Sequence, residues 1–448
     1  MWKDVRQMSP QEIKEELEAL KKVRELSNTV NVDKLLNKEL DLEPLRKVNL
    51  TMTANGALYR RVKGFLPKLM GKIYDERTIY KKKMIAAKQQ YEKTPTKELE
   101  KEIARCNNIQ LARKIQLNSA YGAIGNQYFR YYKLENAEAI TLSGQVSIRW
   151  IENKMNEYLN KILKTDGEDY VIASDTDSIY LNMGPLVESV YKGREKTDEK
   201  VVSFLDKLCK VELEPYIESC YQELADYVNA YQQKMQMKRE NIANRGIWTA
   251  KKRYILNVWD SEGVRYSEPK LKMMGIEAIK TSTPAPCRKK IKEALNLMMS
   301  GSEDDVINFI DKFRSDFKKL PPEEVAFPRS VNDIKKWKSS ATLYLKGTPI
   351  HVRGAILFNH YITEKKLTGK YATISNGEKI KFCYLKKPNP INENVITFIQ
   401  DFPRELNIAP YVDYDLQFEK SFLEPVKSIL DCIGWKSERR GTLEDFFL

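Results

Sequence analysis

Val171-Ile172-Ala173-Ser174-Asp175-Thr176-Asp177-Ser178-Ile179-Tyr180-Leu181 interrupts a long helical texture with two short apolar runs around a polar centre. The pattern predicts a β-hairpin, whose turn carries Asp175 and Asp177 at i and i+2. Short strands hold hard oxygen ligands well, and Mg²⁺ is typically held by one or two carboxylates plus substrate phosphates. Three readings stay open on these residues alone: a metal site beside a phosphorylated substrate, a nucleotide-sugar site of the glycosyltransferase kind, and an Asp-rich turn without chemistry.

Upstream, a helical pattern runs from about Pro67 to Tyr91 and breaks at Thr94-Pro95-Thr96. Thr94 as N-cap with Pro95 at the first helical position restarts a helix to about Ser119. Two long helices around a tight turn make an antiparallel αα-hairpin. Arg77 and Lys81 are four residues apart, as are Lys114 and Asn118, so each pair shares a face. With Pro95 as the turn, Arg77 and Lys114 lie side by side, and the four side chains form a receptacle for a triphosphate. The competing reading is a basic surface stripe, since Lys82, Lys83 and Lys88 lie nearby.

Further out, residues 1–50 have a charged, helical texture, with a helix start at Ser9-Pro10-Gln11-Glu12; they read as a loosely packed lead-in. Residues 125–164 and 200–237 read as helix, Ile247–Trp259 and Gly263–Met274 as strand, and Pro284–Lys319 as helix. Blocks of helix and strand make the fold class α+β.

Composition narrows the chemistry. The chain has 448 residues and a formal charge of +14. Between Arg60 and Leu134 it carries 18 basic and 6 acidic residues, a net of +12, which leaves +2 for the other 373. A localised excess points to a docking site for polyanions. The six cysteines never form a C-x-x-C pair, and the only histidines are His351 and His360. Zinc sites, haem attachment and His-based triads are therefore disfavoured, and free buried thiols are expected. No apolar run is long enough for a membrane span and no signal peptide is seen, so a soluble, cytoplasmic protein is expected.

Lys114-Ile115-Gln116-Leu117-Asn118-Ser119-Ala120-Tyr121-Gly122, taken with Asp175-Thr176-Asp177-Ser178, resembles family B DNA polymerases, most closely the replicative enzymes of T-even-type bacteriophages. The first run is similar to the fingers motif and the second to the palm motif of that family. Lys251-Lys252-Arg253-Tyr254 resembles its primer–template grip. Gly125-Asn126 through Phe129-Arg130-Tyr131-Tyr132, Glu268-Pro269-Lys270-Leu271-Lys272 and His351-Val352-Arg353-Gly354 follow in the family's order.

The resemblance implies a partial right-hand polymerase fold: lead-in 1–59, fingers 60–124, second part of the palm 125–275, thumb 276–436 and a clamp-binding tail 437–448. It implies that Arg77, Lys81 and Lys114 bind the triphosphate of an incoming dNTP, with Asn118 supporting that face and Tyr121 under the nascent base pair. Asp177 becomes the principal ligand of two Mg²⁺ ions, Asp175 its neighbour and Glu240 an auxiliary carboxylate. Gly125, Asn126, Lys251, Lys252, Tyr254, Lys270 and Arg353 fall to primer–template DNA. The chemistry implied is two-metal phosphoryl transfer, with Lys114 neutralising developing charge.

Two departures qualify this. Ala173-Ser174 stands where the family often has Tyr-Gly. No run resembling Asp-x-x-Ser-Leu-Tyr-Pro-Ser, which supplies another palm carboxylate, occurs. Acidic exonuclease motifs are missing as well; Asp41-Leu42-Glu43 has a similar spacing but lacks an apolar strand. Val5-Arg6-Gln7-Met8-Ser9-Pro10 resembles the stretch after the first palm motif. A naturally split polymerase is the expectation, with an N-terminal subunit supplying the missing Asp and the exonuclease; an expression fragment is the alternative. Leu443, Phe446 and Phe447 in the terminal Arg440–Leu448 resemble a plug for a sliding clamp. A non-catalytic DNA- and clamp-binding module is the competing function.

Overall fold

The computed structural model describes residues 8–439, which divide into two compact units. The first runs to Ile242 and includes Trp259–Pro269; the second comprises Ala243–Val258 and the chain from Lys270 onward.

In the first unit the opening segment is not a loose lead-in. Helix Pro10–Thr29 starts where expected: Ser9 and Glu12 form a reciprocal capping box, which satisfies two of the orphan donors of the first turn. Its Ala19 and Val23 are buried, as are Leu35, Leu42, Leu45 and Val48. These residues pack in one core with Trp150, Ile151, Met155 and Leu159. Charged residues dominate the segment because they occupy the outer faces of short helices whose apolar stripe is narrow. Asp41-Leu42-Glu43 is a helix entry, with Glu43 N donating to Asp41 Oδ1 at 3.0 Å.

The αα-hairpin is present, as helices Phe65–Lys93 and Lys97–Ile124. Thr96, rather than Thr94, is the N-cap, its hydroxyl accepting from Leu99 N at 3.2 Å; Pro95 lies outside the helix. Arg113 Nε meets Glu76 Oε2 at 3.0 Å and sets the hairpin register. Residues 125–133 are turns, and the next helix is Leu134–Leu163. The expected helix over 200–237 is Asp198–Leu208, a wider π turn at Cys209–Leu213 and Glu214–Tyr227. Pro215, lacking an N–H, is placed where regular helical bonding must be interrupted or restarted.

Three strands, Asn241–Ala250, Arg253–Ser261 and Val264–Met274, form one sheet in chain order. The single strand expected over Ile247–Trp259 is thus two strands with Lys251 and Lys252 at the turn. In the second unit, the expected helix over Pro284–Lys319 is two, Ala285–Ser300 and Glu303–Phe317, divided at Gly301-Ser302. They pack with Phe418, Phe422 and Val426. A second core gathers around helix Ile350–Glu364 and strands Lys379–Tyr384 and Val395–Phe398. All six thiols are free; Cys106, Cys220, Cys287 and Cys383 are buried, whereas Cys432 is exposed. Among the described residues no helix is long and apolar enough to cross a membrane.

Candidate active site

The carboxylate hairpin is held from below. Helix Leu134–Leu163 presents Asn156, whose Oδ1 accepts from Tyr170 N at 2.8 Å and Val171 N at 3.2 Å. One turn on, Asn160 both accepts from Glu168 N at 3.0 Å and donates to Glu168 O at 2.7 Å. These two side chains orient the loop that launches strand Val171–Asp175, which pairs antiparallel with Ser178–Leu181. The two short apolar runs around a polar centre therefore form the expected hairpin.

Its tip is locked by its own polar groups. Thr176 sits at φ +59°, a left-handed conformation that is uncommon for a β-branched residue. Asp177 N donates to Asp175 O at 2.6 Å, Ser178 Oγ donates to the same carbonyl at 3.2 Å, and Thr176 Oγ1 donates to Asp175 Oδ1 at 3.0 Å. Asp175 is half-buried and Asp177 exposed. Burial, with the negative charge of Asp177 added, pushes the Tyr221 phenol up to about 12, so a protonated ring lies within electrostatic reach of that carboxylate.

Two carboxylates on a rigid turn suit a hard divalent cation whose remaining ligands are phosphate and water oxygens. Among the described residues, no three His, Cys, Asp or Glu side chains gather as a metal cluster. The backbone oxygen of Glu240 accepts from Glu262 N at 2.5 Å.

On the helical hairpin, the Glu76–Arg113 pair places Arg77 and Lys114 within about one helical turn of each other along the axes. Lys114, Asn118 and Tyr121 are exposed, and Arg77 is half-buried. Arg77 Nε is shielded from solvent without a hydrogen-bond partner, an unsatisfied cationic donor that an anion would complete. Lys81 is engaged, its Nζ lying 2.5 Å from Glu262 Oε1. Gly125 and Asn126 end the second hairpin helix, exposed, with Asn126 Oδ1 accepting from Tyr128 N at 3.0 Å.

In the second unit Lys251 and Lys252 are exposed at a strand turn, Lys252 at φ +61°. A Cβ on Gly275 would lie 2.5 Å from Lys252 O, so only glycine allows that approach. Arg253 grips Glu277 with two guanidinium bonds, at 2.8 and 2.7 Å. Tyr254, expected to face nucleic acid, is buried with its ring 6.4 Å from that of Trp248. Lys270 is exposed. Arg353 donates to Asn394 Oδ1 at 2.5 Å and lies over the Tyr344 ring. Its neighbour Gly354 is dictated by packing, since a Cβ there would sit 2.2 Å from Thr397 Oγ1. Leu443, Phe446 and Phe447 lie outside the described residues.

Sequence reasoning missed Asn156, Asn160 and Arg239. An Asn repeated at i and i+4 near a helix end is a weak signal, but it is visible. Arg239 gives none, because its partners, Asp206 and Asp260, are remote in sequence.

A family model described as DNA polymerase family B matches residues 24–433. The chain is 35% identical over 362 residues to the DNA-directed DNA polymerase of Enterobacteria phage T4, covering 78% of this chain and 40% of that protein. Identity to the corresponding polymerase of Escherichia phage RB69 is 36% over 351 residues, or 75% and 38% of the two chains. A DNA polymerase of Thermococcus gorgonarius is 24% identical over 381 residues, covering 84% of this chain and 40% of the relative. The chain thus spans about two-fifths of the length of these relatives.

Proposed function

The chain belongs to DNA polymerase family B, and from that premise we propose that it carries part of the active site of a DNA-directed DNA polymerase. The observation that carries this reading is the hairpin tip: two carboxylates two residues apart on a hydrogen-bonded turn whose first strand is anchored by Asn156.

On this reading Asp177 and Asp175 hold Mg²⁺, which when bound polarises phosphoryl oxygens and lowers the pKa of the attacking hydroxyl. The exposed Lys114 and the half-buried Arg77 and Lys81 bind the dNTP triphosphate and neutralise charge that develops on the leaving pyrophosphate. Asn118 and Tyr121, on the same exposed stretch of helix, orient the nucleotide. Lys251, Lys252 and Lys270 hold phosphates of primer–template DNA, with Arg353 positioned by Asn394 and Tyr344. Tyr254 supports the turn from its buried position beside Trp248, so Lys251 and Lys252 make the contact.

On this reading a further palm carboxylate, of the kind carried by an Asp-x-x-Ser-Leu-Tyr-Pro-Ser run, completes the metal site. We place it on an N-terminal subunit that also carries the exonuclease, and assign the terminal aromatics to a sliding clamp.

Primer extension tests the reading. The chain combined with a polypeptide carrying the missing motif extends a primer with Mg²⁺, and the chain alone does not. Asp177→Asn in the combined enzyme lowers the rate by about 10²–10³-fold or more, while duplex binding is kept. Duplex and clamp binding without extension in any combination would favour the non-catalytic module.

A further inference from the structure

Strands Arg253–Ser261 and Val264–Met274 are joined by Glu262 and Gly263, at φ +55° and +88°. Consecutive left-handed residues make the tight turn that suits twisted strands. Glycine takes that conformation freely and glutamate does not, so the turn must be held by its surroundings.

Asp260, only 2% exposed, does so. Its Oδ1 accepts from Gly263 N at 2.9 Å, and its carboxylate also binds Arg239 and, at 3.1 Å, Arg265 Nε. Arg239 reaches on to Asp206. Glu262 N is pinned to Glu240 O. A buried ionic network thus fixes the turn and aims one carboxylate outward.

That carboxylate meets Lys81 at 2.5 Å on the first hairpin helix. Gln89, about two turns along the same helix, donates to Gly263 O at 3.1 Å. A Cβ at position 263 would lie 3.2 Å from the Gln89 amide nitrogen, so glycine permits the approach. The turn therefore touches the helix twice, once through charge and once through backbone.

We propose that Glu262 is a positioning residue that competes with the triphosphate for Lys81, holding the helical hairpin against this turn until a nucleotide displaces it. The proposal rests on the reading of Lys81 and Lys114 as triphosphate ligands. An ammonium committed to one carboxylate must exchange it for phosphate oxygens, and a triphosphate, with its higher charge, wins that exchange. The contact is partly exposed, at 31% and 26% for the two side chains. Partly exposed pairs are weak, so the latch is reversible and its effect on apparent affinity is about two- to fivefold.

The test is calorimetric titration of the full chain with dGTP and Mg²⁺, comparing wild type with Glu262→Gln, Glu262→Asp and Lys114→Ala. Glu262→Gln should bind about two- to fivefold more tightly than wild type, with the gain shrinking as salt is raised. Glu262→Asp, keeping the charge on a shorter arm, should fall between them. In the absence of nucleotide, amide hydrogen exchange across residues 78–92 should quicken in Glu262→Gln. A merely structural glutamate would weaken binding when removed. If Glu262→Gln binds no more tightly than wild type while Lys114→Ala binds worse, the latch is wrong and the triphosphate site stands. If Lys114→Ala is indistinguishable from wild type, the triphosphate site falls and the latch with it.

Discussion

Arg239 is 8% exposed and is bonded to both Asp206 and Asp260. Burial pushes the Asp206 carboxyl up, but the bonds from Lys210 and Arg239 outweigh it and hold that group below the ordinary range. A buried pair broken on one side leaves an uncompensated charge. Arg239→Met should therefore cost about 3–5 kcal/mol in urea unfolding, with Asp260 left to Arg265 and one backbone N–H. A cost below about 1 kcal/mol would mean that Arg265 alone satisfies Asp260. Within Met237-Lys238-Arg239-Glu240 the resemblance drew attention to Glu240, whereas the contacts single out Arg239. Nothing local marks it, because a residue's electrostatic role depends on partners that only the fold brings near.

Among the elements, the helical hairpin and the carboxylate hairpin were legible because each has its own period and a turn signal, Pro95 in one and Asp-Thr-Asp in the other. The cap was misplaced by two residues because Thr94 and Thr96 flank Pro95 symmetrically. The strand break at Lys251-Lys252 was invisible for a different reason: the glycine that makes room for it is Gly275, far downstream. That turn also carries a pH dependence. Burial pushes the Glu277 carboxyl up, but bonds from Arg253 and Lys280 prevail and hold it at about 2. A carboxyl held lower in the folded chain stabilises above its unfolded value, about 4.3, and the contribution fades as pH falls from there toward 2. Glu277→Gln should accordingly be about 2–3 kcal/mol less stable than wild type at pH 7. Denaturation midpoints of the two proteins should converge between about pH 4.3 and 2. A gap that persists at pH 2 would assign the effect to packing.

For the whole molecule, charge location separates two kinds of polyanion. The +12 excess between Arg60 and Leu134 lies mostly on the helical hairpin, but part of its basic charge is already matched: Arg105 by Glu102, Arg113 by Glu76 and Lys81 by Glu262. What remains exposed there, Lys114 above all, suits a compact triphosphate. Lys251, Lys252 and Lys270 belong to the nearly neutral remainder and are exposed, so on the proposed reading local placement rather than net charge would serve a duplex. Each phosphate contact releases condensed counterions and contributes about 0.9 to the slope of log affinity against log salt. Lys251→Ala with Lys252→Ala should therefore flatten the slope for primer–template binding by about 2, and leave dGTP affinity unchanged. Lys114→Ala should do the reverse, weakening dGTP while the duplex slope stays within about 1 of wild type. Filter binding across a salt series, paired with nucleotide titration, reads both. If removing Lys251 and Lys252 leaves the slope unaltered, the duplex does not engage that turn.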